Sequence, residues 1–171
     1  MRIIEGAWAG RTLVSPGGRV RPTAEDVRRA LMELLADDLP GARVADLFAG
    51  TGALGLEALS RGAKWCDFVE DGDAALHALK ANVAALRAGR KARIFKRDAI
   101  PFVERLGGDA YDVVFVDPPY GSRKLDRVIA HWERVPFCSV LALEHAPEHE
   151  LPRAGSQRRI RESVVTVLRA R

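Results

Sequence analysis

Hydrophobic and polar positions fall into two regimes along this chain, with the change near residue 42. Beyond it, short apolar runs rich in Val, Phe and Ile alternate with longer stretches whose apolar positions recur at helical spacing. The short runs predict strands over residues 44–48, 65–70, 92–96, 111–117 and 139–144. The longer ones predict helices over 54–60, closed by Gly62, and over 73–87, 100–106 and 125–133. Strands that alternate with helices in this way predict an α/β fold, a mostly parallel sheet covered on both faces. The rhythm then changes: residues 158–160 and 164–168 read as two strands with too little chain between them for a crossover helix, so an antiparallel ending is expected.

The first forty residues form a different pattern. Ile3-Ile4 and Thr12-Leu13-Val14 flank a glycine-containing stretch and predict a small hairpin, and Pro16-Gly17-Gly18 predicts a loop. Thr23 is placed to cap a helix over residues 24–37, with Asp26 three residues on as in a capping box, and Pro40-Gly41 closes the segment. The division expected is a hairpin-and-helix extension over 1–40 and a main domain over 41–171.

Composition narrows the class. With 171 residues and 47% hydrophobic content, the chain suits one globular domain, and no apolar run approaches the length of a membrane span. The N-terminal sequence lacks a secretory pattern, so a cytoplasmic protein is expected. Cys66 and Cys138 sit in apolar segments and read as buried thiols. The net charge is +4, and 22 of the 27 basic residues are arginine, a composition suited to phosphate contacts. Basic residues cluster near the N-terminus, over 87–97, and at Arg158, Arg159 and Arg161.

Two motifs carry chemistry. Val113-Val114-Phe115-Val116 runs into Asp117-Pro118-Pro119-Tyr120. The prolines end the strand, so a carboxylate and a backbone carbonyl can accept the two hydrogens of a planar amine while the Tyr120 ring stacks on the base that carries it. Upstream, Asp46-Leu47-Phe48-Ala49-Gly50-Thr51-Gly52-Ala53-Leu54-Gly55 sets a glycine-rich turn between a strand and a helix. Gly50 and Gly52 allow close approach to the backbone, and Glu70, with Asp71 beside it, is placed to hold ribose hydroxyls. This spacing also fits a dinucleotide site. Asp46 argues against one, because a carboxylate there repels pyrophosphate and attracts an ammonium group such as that of S-adenosylmethionine. Asp98, with Ala99 next to it, is placed to reach an adenine amine.

With Gly6-Ala7-Trp8-Ala9-Gly10-Arg11, Arg21-Pro22-Thr23 and Val27-Arg28 added to these motifs and to the run over 46–62, the chain resembles the RsmD-type methyltransferases of bacteria. The resemblance covers nearly the whole chain and weakens over 144–168. It implies a Rossmann-like class I methyltransferase domain with a seven-stranded sheet and an antiparallel C-terminal strand. It also implies S-adenosylmethionine as methyl donor and the N2 amine of one guanine in 16S rRNA as acceptor, with the RNA met naked or within an assembling small subunit. On this reading Asp117, Pro118, Pro119 and Tyr120 are catalytic, and Asp46, Phe48, Gly50, Gly52, Glu70, Asp71, Asp98 and Ala99 hold the cofactor. Arg11, Arg21, Thr23, Arg28 and Tyr120 bind substrate, with Trp8 either stacking on RNA or packing under the hairpin. A monomer is expected.

Alternatives remain open at this point: an amine methyltransferase acting on DNA adenine or a protein glutamine, a dinucleotide-dependent oxidoreductase, or a non-catalytic RNA-binding module. His145 and His149, with Glu144 and Glu148, do not have metal-site spacing because Pro147 intervenes, and no metal is expected. His77, His131, Trp65 and Trp132 read as ordinary helix or packing residues.

Overall fold

A computed structural model describes residues 1–16 and 24–170. In chain order the elements are α1 (Glu25–Leu34), β1 (Arg43–Leu47), α2 (Ala53–Ser60), β2 (Trp65–Glu70), α3 (Asp73–Ala85), β3 (Ala92–Lys96), α4 (Ala99–Val103), β4 (Tyr111–Val116), α5 (Lys124–Arg134), β5 (Cys138–His145), β6 (Ser156–Ile160) and β7 (Ser163–Arg169). One seven-stranded sheet has the order β3-β2-β1-β4-β5-β7-β6. Pairs among β1 to β5 are parallel, and β7 runs antiparallel to both β5 and β6. Among the described residues, no helix is long and apolar enough to cross a membrane.

The alternation of side chains along a strand explains the two-faced core. Val44, Val113, Phe115, Val140 and Ala142 join one apolar cluster with residues of α1 and α2. Their neighbours Ala45, Val114, Val116, Leu141 and Leu143 join a second cluster with α4 and α5. Burying each large aliphatic or aromatic side chain contributes roughly 1.5–3 kcal/mol, so both faces must be covered for these strands to persist. Ile3 and Leu13 of the N-terminal segment are buried in the first cluster, alongside Val27 of α1. The same segment is pinned by Glu57 on α2, which is fully buried and accepts from the backbone N–H groups of Ile4 (2.8 Å) and Glu5 (3.0 Å).

Several boundaries differ from the sequence expectation for local reasons. β1 ends at Leu47 because Phe48 adopts a left-handed conformation, φ 61°. β4 ends at Val116, so Asp117 lies just beyond the ladder rather than in it. α1 ends at Leu34 rather than 37: Leu35 leaves helical geometry (φ −109°, ψ 7°), and it and Leu39 are buried in the core. α3 stops at Ala85, since Arg87 has φ 54°. α4 spans Ala99–Val103 rather than 100–106. The N-terminal hairpin is a chain reversal with a single antiparallel bridge between Arg2 and Thr12. Ala24 occupies the N-cap position of α1 without a side-chain cap, and the Thr23 expected there lies outside the described residues.

Candidate active site

β1 pairs with β2 on one side and β4 on the other, and the chain leaves these strands in opposite directions. Such a reversal opens a crevice at the carboxyl ends of the strands. A cavity of about 940 Å³ lies there, lined by the ends of β1, β2 and β4, the turn into α2, and residues of β5 and the β6–β7 turn.

The glycine turn is built by close packing. Gly52 sits at the N-cap of α2 with φ 80°, and a Cβ there would come within 2.4 Å of Leu79 Cδ1. A Cβ on Gly55 would lie 2.4 Å from the Phe68 ring, so this glycine lets α2 approach β2. Both serve the fold: Gly50 and Thr51 line the cavity, whereas Gly52 does not. Gly52, expected to contact the cofactor through its backbone, has a packing role that shapes the turn between the lining residues Thr51 and Ala53.

Three of the four carboxylates expected near the cofactor, those of Asp46, Glu70 and Asp98, accept from backbone N–H groups. Asp46, 1% exposed, accepts from Gly55 N–H at 2.9 Å. Burial pushes its carboxyl well above the ordinary 3.8; the Gly55 bond opposes the shift, and the nearby charges of Asp117 and Glu70 add to it. Asp46 lines the cavity, so the expected place at the mouth becomes a buried wall position. Glu70 Oε2 accepts from Gly50 N–H (2.8 Å), and its Oε1 accepts from Asp71 N–H (3.1 Å) and Gly72 N–H (2.7 Å). One side chain thus fixes both the glycine turn and the loop after β2. Asp71 is exposed and lines the cavity. Asp98 caps α4 by accepting from Ile100 N–H (3.0 Å); its neighbours Arg97 and Ala99 line the cavity and it does not. Phe48 lines the wall, with Lys124 Nζ 5.3 Å from its ring centroid.

Asp117, Pro118, Pro119 and Tyr120 all line the same cavity. Asp117 is half-buried, Pro118 buried and Pro119 exposed. Tyr120 is 47% exposed, and its hydroxyl is tied to β5 and β7, 2.9 Å from Glu144 Oε1 and 2.7 Å from Ser163 Oγ. Burial raises its phenol to about 12, with Glu144 adding to the rise and the Ser163 bond opposing it. Carboxylates dominate the charged lining: Asp26, Asp46, Glu70, Asp71, Asp73, Asp117, Glu144 and Glu162 against Arg97, Lys124 and Arg161. A chain of net charge +4 therefore carries an acid-rich cavity.

The expected RNA contacts are scattered. Arg21 and Thr23 lie outside the described residues. Arg28 is 1% exposed, donates to the Arg2 carbonyl (2.7 Å) and feels the field of Glu57. Its burial corrects the expectation of a surface contact. Arg11 is exposed and donates to the Ala85 carbonyl at the end of α3 (2.8 Å), away from the cavity. Trp8 is half-buried against the first apolar cluster. His145 bonds Thr166 Oγ1 and the Ala146 carbonyl, and His149 bonds Asp126. Cys66 and Cys138 are buried free thiols, and Trp132 packs with its Nε1 donating to the Cys138 carbonyl.

The sequence placed Arg97 and Arg161 in basic clusters and Glu144 beside the rejected histidine pair, and gave none of these, nor Lys124 or Ser163, a place in this cavity. Arg97 and Lys124 carried a signal, since each closely follows a strand end that bears a motif. Glu144 and Ser163 are 24 and 43 residues from Tyr120, and only the β5–β7 pairing brings them to it.

The family described as Conserved hypothetical protein 95 matches residues 1–164. Ribosomal RNA small subunit methyltransferase D of Escherichia coli (strain K12) is 42% identical over 132 residues, covering 75% of this chain and 65% of that protein, a little under two thirds of its length. YlbH of Bacillus subtilis (strain 168) is 32% identical over 158 residues, 89% of this chain and 86% of that protein. The solved structure of yhhF from Escherichia coli superposes with a TM-score of 0.85 at 34% identity, covering 98% of this chain and 96% of that one.

Proposed function

Because the chain belongs to the family described as Conserved hypothetical protein 95, that of the RsmD-type methyltransferases, we propose that it methylates the N2 amine of one guanine in 16S rRNA, using S-adenosylmethionine. The observation that carries this reading is the convergence on one acid-rich cavity of the glycine turn, Glu70 and Asp117-Pro118-Pro119-Tyr120.

The donor set fits the cofactor. S-adenosylmethionine presents an ammonium group, a ribose diol and an adenine amine, all hydrogen-bond donors, and no phosphate; the lining offers carboxylates at Asp46, Glu70 and Asp71. When bound it supplies a methyl group on a positively charged sulfonium. Asp46 would take the ammonium group. Glu70 retains lone pairs for the ribose hydroxyls while its backbone bonds hold the turn rigid. Ala99 and the α4 start that Asp98 caps would border the adenine.

On the substrate side, Asp117 and the Pro118 carbonyl would hold the two hydrogens of guanine N2. That grip turns the nitrogen lone pair out of conjugation and aims it at the methyl group, so the rate gain comes from alignment. Tyr120 would stack on a guanine turned out of its helix or loop. The exposed basic residues outside the cavity supply phosphate contacts, with binding that weakens as salt rises. We infer a cytoplasmic enzyme that works on naked rRNA or an assembling small subunit.

The test is transfer of label from methyl-labelled S-adenosylmethionine to small-subunit rRNA, supplied naked and as assembled particles. Label in the RNA of either preparation is the expected result; label only in protein, or none in either, overturns the proposal.

A further inference from the structure

Glu144 belongs to the substrate side of the cavity but has no place in the chemistry above. It lies near the carboxyl end of β5, one residue beyond Leu143, whose ladder partner Val116 immediately precedes Asp117. Its side chain is 7% exposed and lines the cavity. Oε1 accepts from Tyr120 Oη–H (2.9 Å) and from Ser163 Oγ–H (3.0 Å). Oε2 is buried and has no hydrogen-bond partner among the described residues.

A buried carboxylate oxygen without a donor is costly, and such an atom in a cavity wall is explained by a donor that arrives with a ligand. The cofactor is an unsuitable source. Its expected contacts come from β1, β2 and the start of α4, whereas Glu144 is on the far side of Asp117, beyond β4 in the sheet. The remaining ligand is the base stacked on Tyr120, and that ring is held by the same carboxylate. Guanine presents N1–H beside its N2 amine. Adenine presents an acceptor at its own N1. A second carboxylate lining the same cavity can therefore take N1–H while Asp117 takes the amine, and it would repel a base with a lone pair at that position.

We propose that Glu144 is the guanine-reading residue of the site: Oε1 fixes Tyr120 and Ser163, and Oε2 accepts the N1–H of the target base. This rests on the guanine reading above and adds the residue that enforces it. Oε1 is held by the hydroxyls of Tyr120, in the turn after β4, and of Ser163, at the start of β7, which restrains the carboxyl.

The test uses the full chain and small-subunit rRNA in which the mapped target guanine is replaced by 2-aminopurine, which keeps the 2-amine but has an acceptor at N1. The native enzyme should favour guanine over 2-aminopurine in kcat/KM by at least about 100-fold, since a buried site built around a hydrogen bond rejects the analogue that lacks it. Glu144→Gln keeps an oxygen for Tyr120 and Ser163 and presents an amide donor in place of Oε2. It should shrink that preference by about tenfold or more; Ser163→Ala, which keeps Oε2 and the Tyr120 bond but removes one restraint on the carboxyl, should shrink it by less. A merely structural role would lower both substrates together and leave the ratio intact in Glu144→Gln, which overturns the proposal. So does a native enzyme indifferent to 2-aminopurine, a result that needs no variant to fold. Failure of the native enzyme to methylate guanine at all would instead sink the functional reading itself.

Discussion

The two sides of the cavity solve different problems. On the β1–β2 side, the carboxylates of Asp46 and Glu70 are held by backbone N–H groups of the glycine turn and the loop after β2. On the β4–β5–β7 side, Tyr120, Glu144 and Ser163 are joined through side chains, with one carboxylate oxygen left for an incoming donor. The first side is local in sequence and closed on itself. The second is assembled from distant strands and is completed by its ligand. Backbone-anchored acceptors suit a cofactor that is the same in every turnover, while side-chain acceptors suit recognition of one base among several.

The sharpest way to break this comparison is to damage one side and read the other. Asp117→Ala should lower kcat by about 1000-fold or more, with S-adenosylmethionine affinity unchanged within about threefold. Near-normal turnover would remove Asp117 from the chemistry, and lost cofactor binding would merge the two sides. Glu70→Ala strips the acceptor from three backbone N–H groups. It should weaken cofactor binding by about 100-fold, read by titration calorimetry. Gly52→Ala forces a Cβ toward Leu79 at φ 80° and should cost about 2 kcal/mol of stability in denaturant titration.

A smaller effect concerns pH. The Asp46 carboxyl is raised above 3.8 by burial, so over the interval from 3.8 up to its raised value the folded protein holds a proton that the unfolded chain has released. The contribution of Asp46 to stability falls as pH rises through that interval and then levels off. Asp46→Asn should flatten the fall, and S-adenosylmethionine should bind more tightly across the same interval as the carboxylate ionises toward its ammonium group. Melting temperatures over a pH series, with and without cofactor, check both; parallel curves for the native chain and Asp46→Asn would contradict the buried-wall role.

The strands and helices of the β1–β5 region were legible because β1, β2, β4 and β5 are buried on both faces, while the edge strand β3 showed only as a short apolar run between basic residues. Their side chains divide cleanly between the two apolar clusters. The placement of Asp117-Pro118-Pro119-Tyr120 at a strand end was legible because strand and breaker adjoin in sequence, and all four residues line the cavity. Arg28 was misplaced because an arginine on an amphipathic helix gives no local sign that its neighbour will be Glu57, 29 residues on. Gly52 and Asp98 were assigned to ligand by motif, although tight packing against Leu79 and an N-cap bond account for them locally. Glu144 and Ser163 were invisible because an antiparallel pairing at the end of the chain, not sequence proximity, brings them to Tyr120.

The most direct measurement is the identity of the methylated nucleoside. After reaction with labelled S-adenosylmethionine, small-subunit rRNA is digested to nucleosides and resolved by mass spectrometry. The account predicts N2-methylguanosine at a single site. Label in N6-methyladenosine, or spread over many guanines, would contradict it.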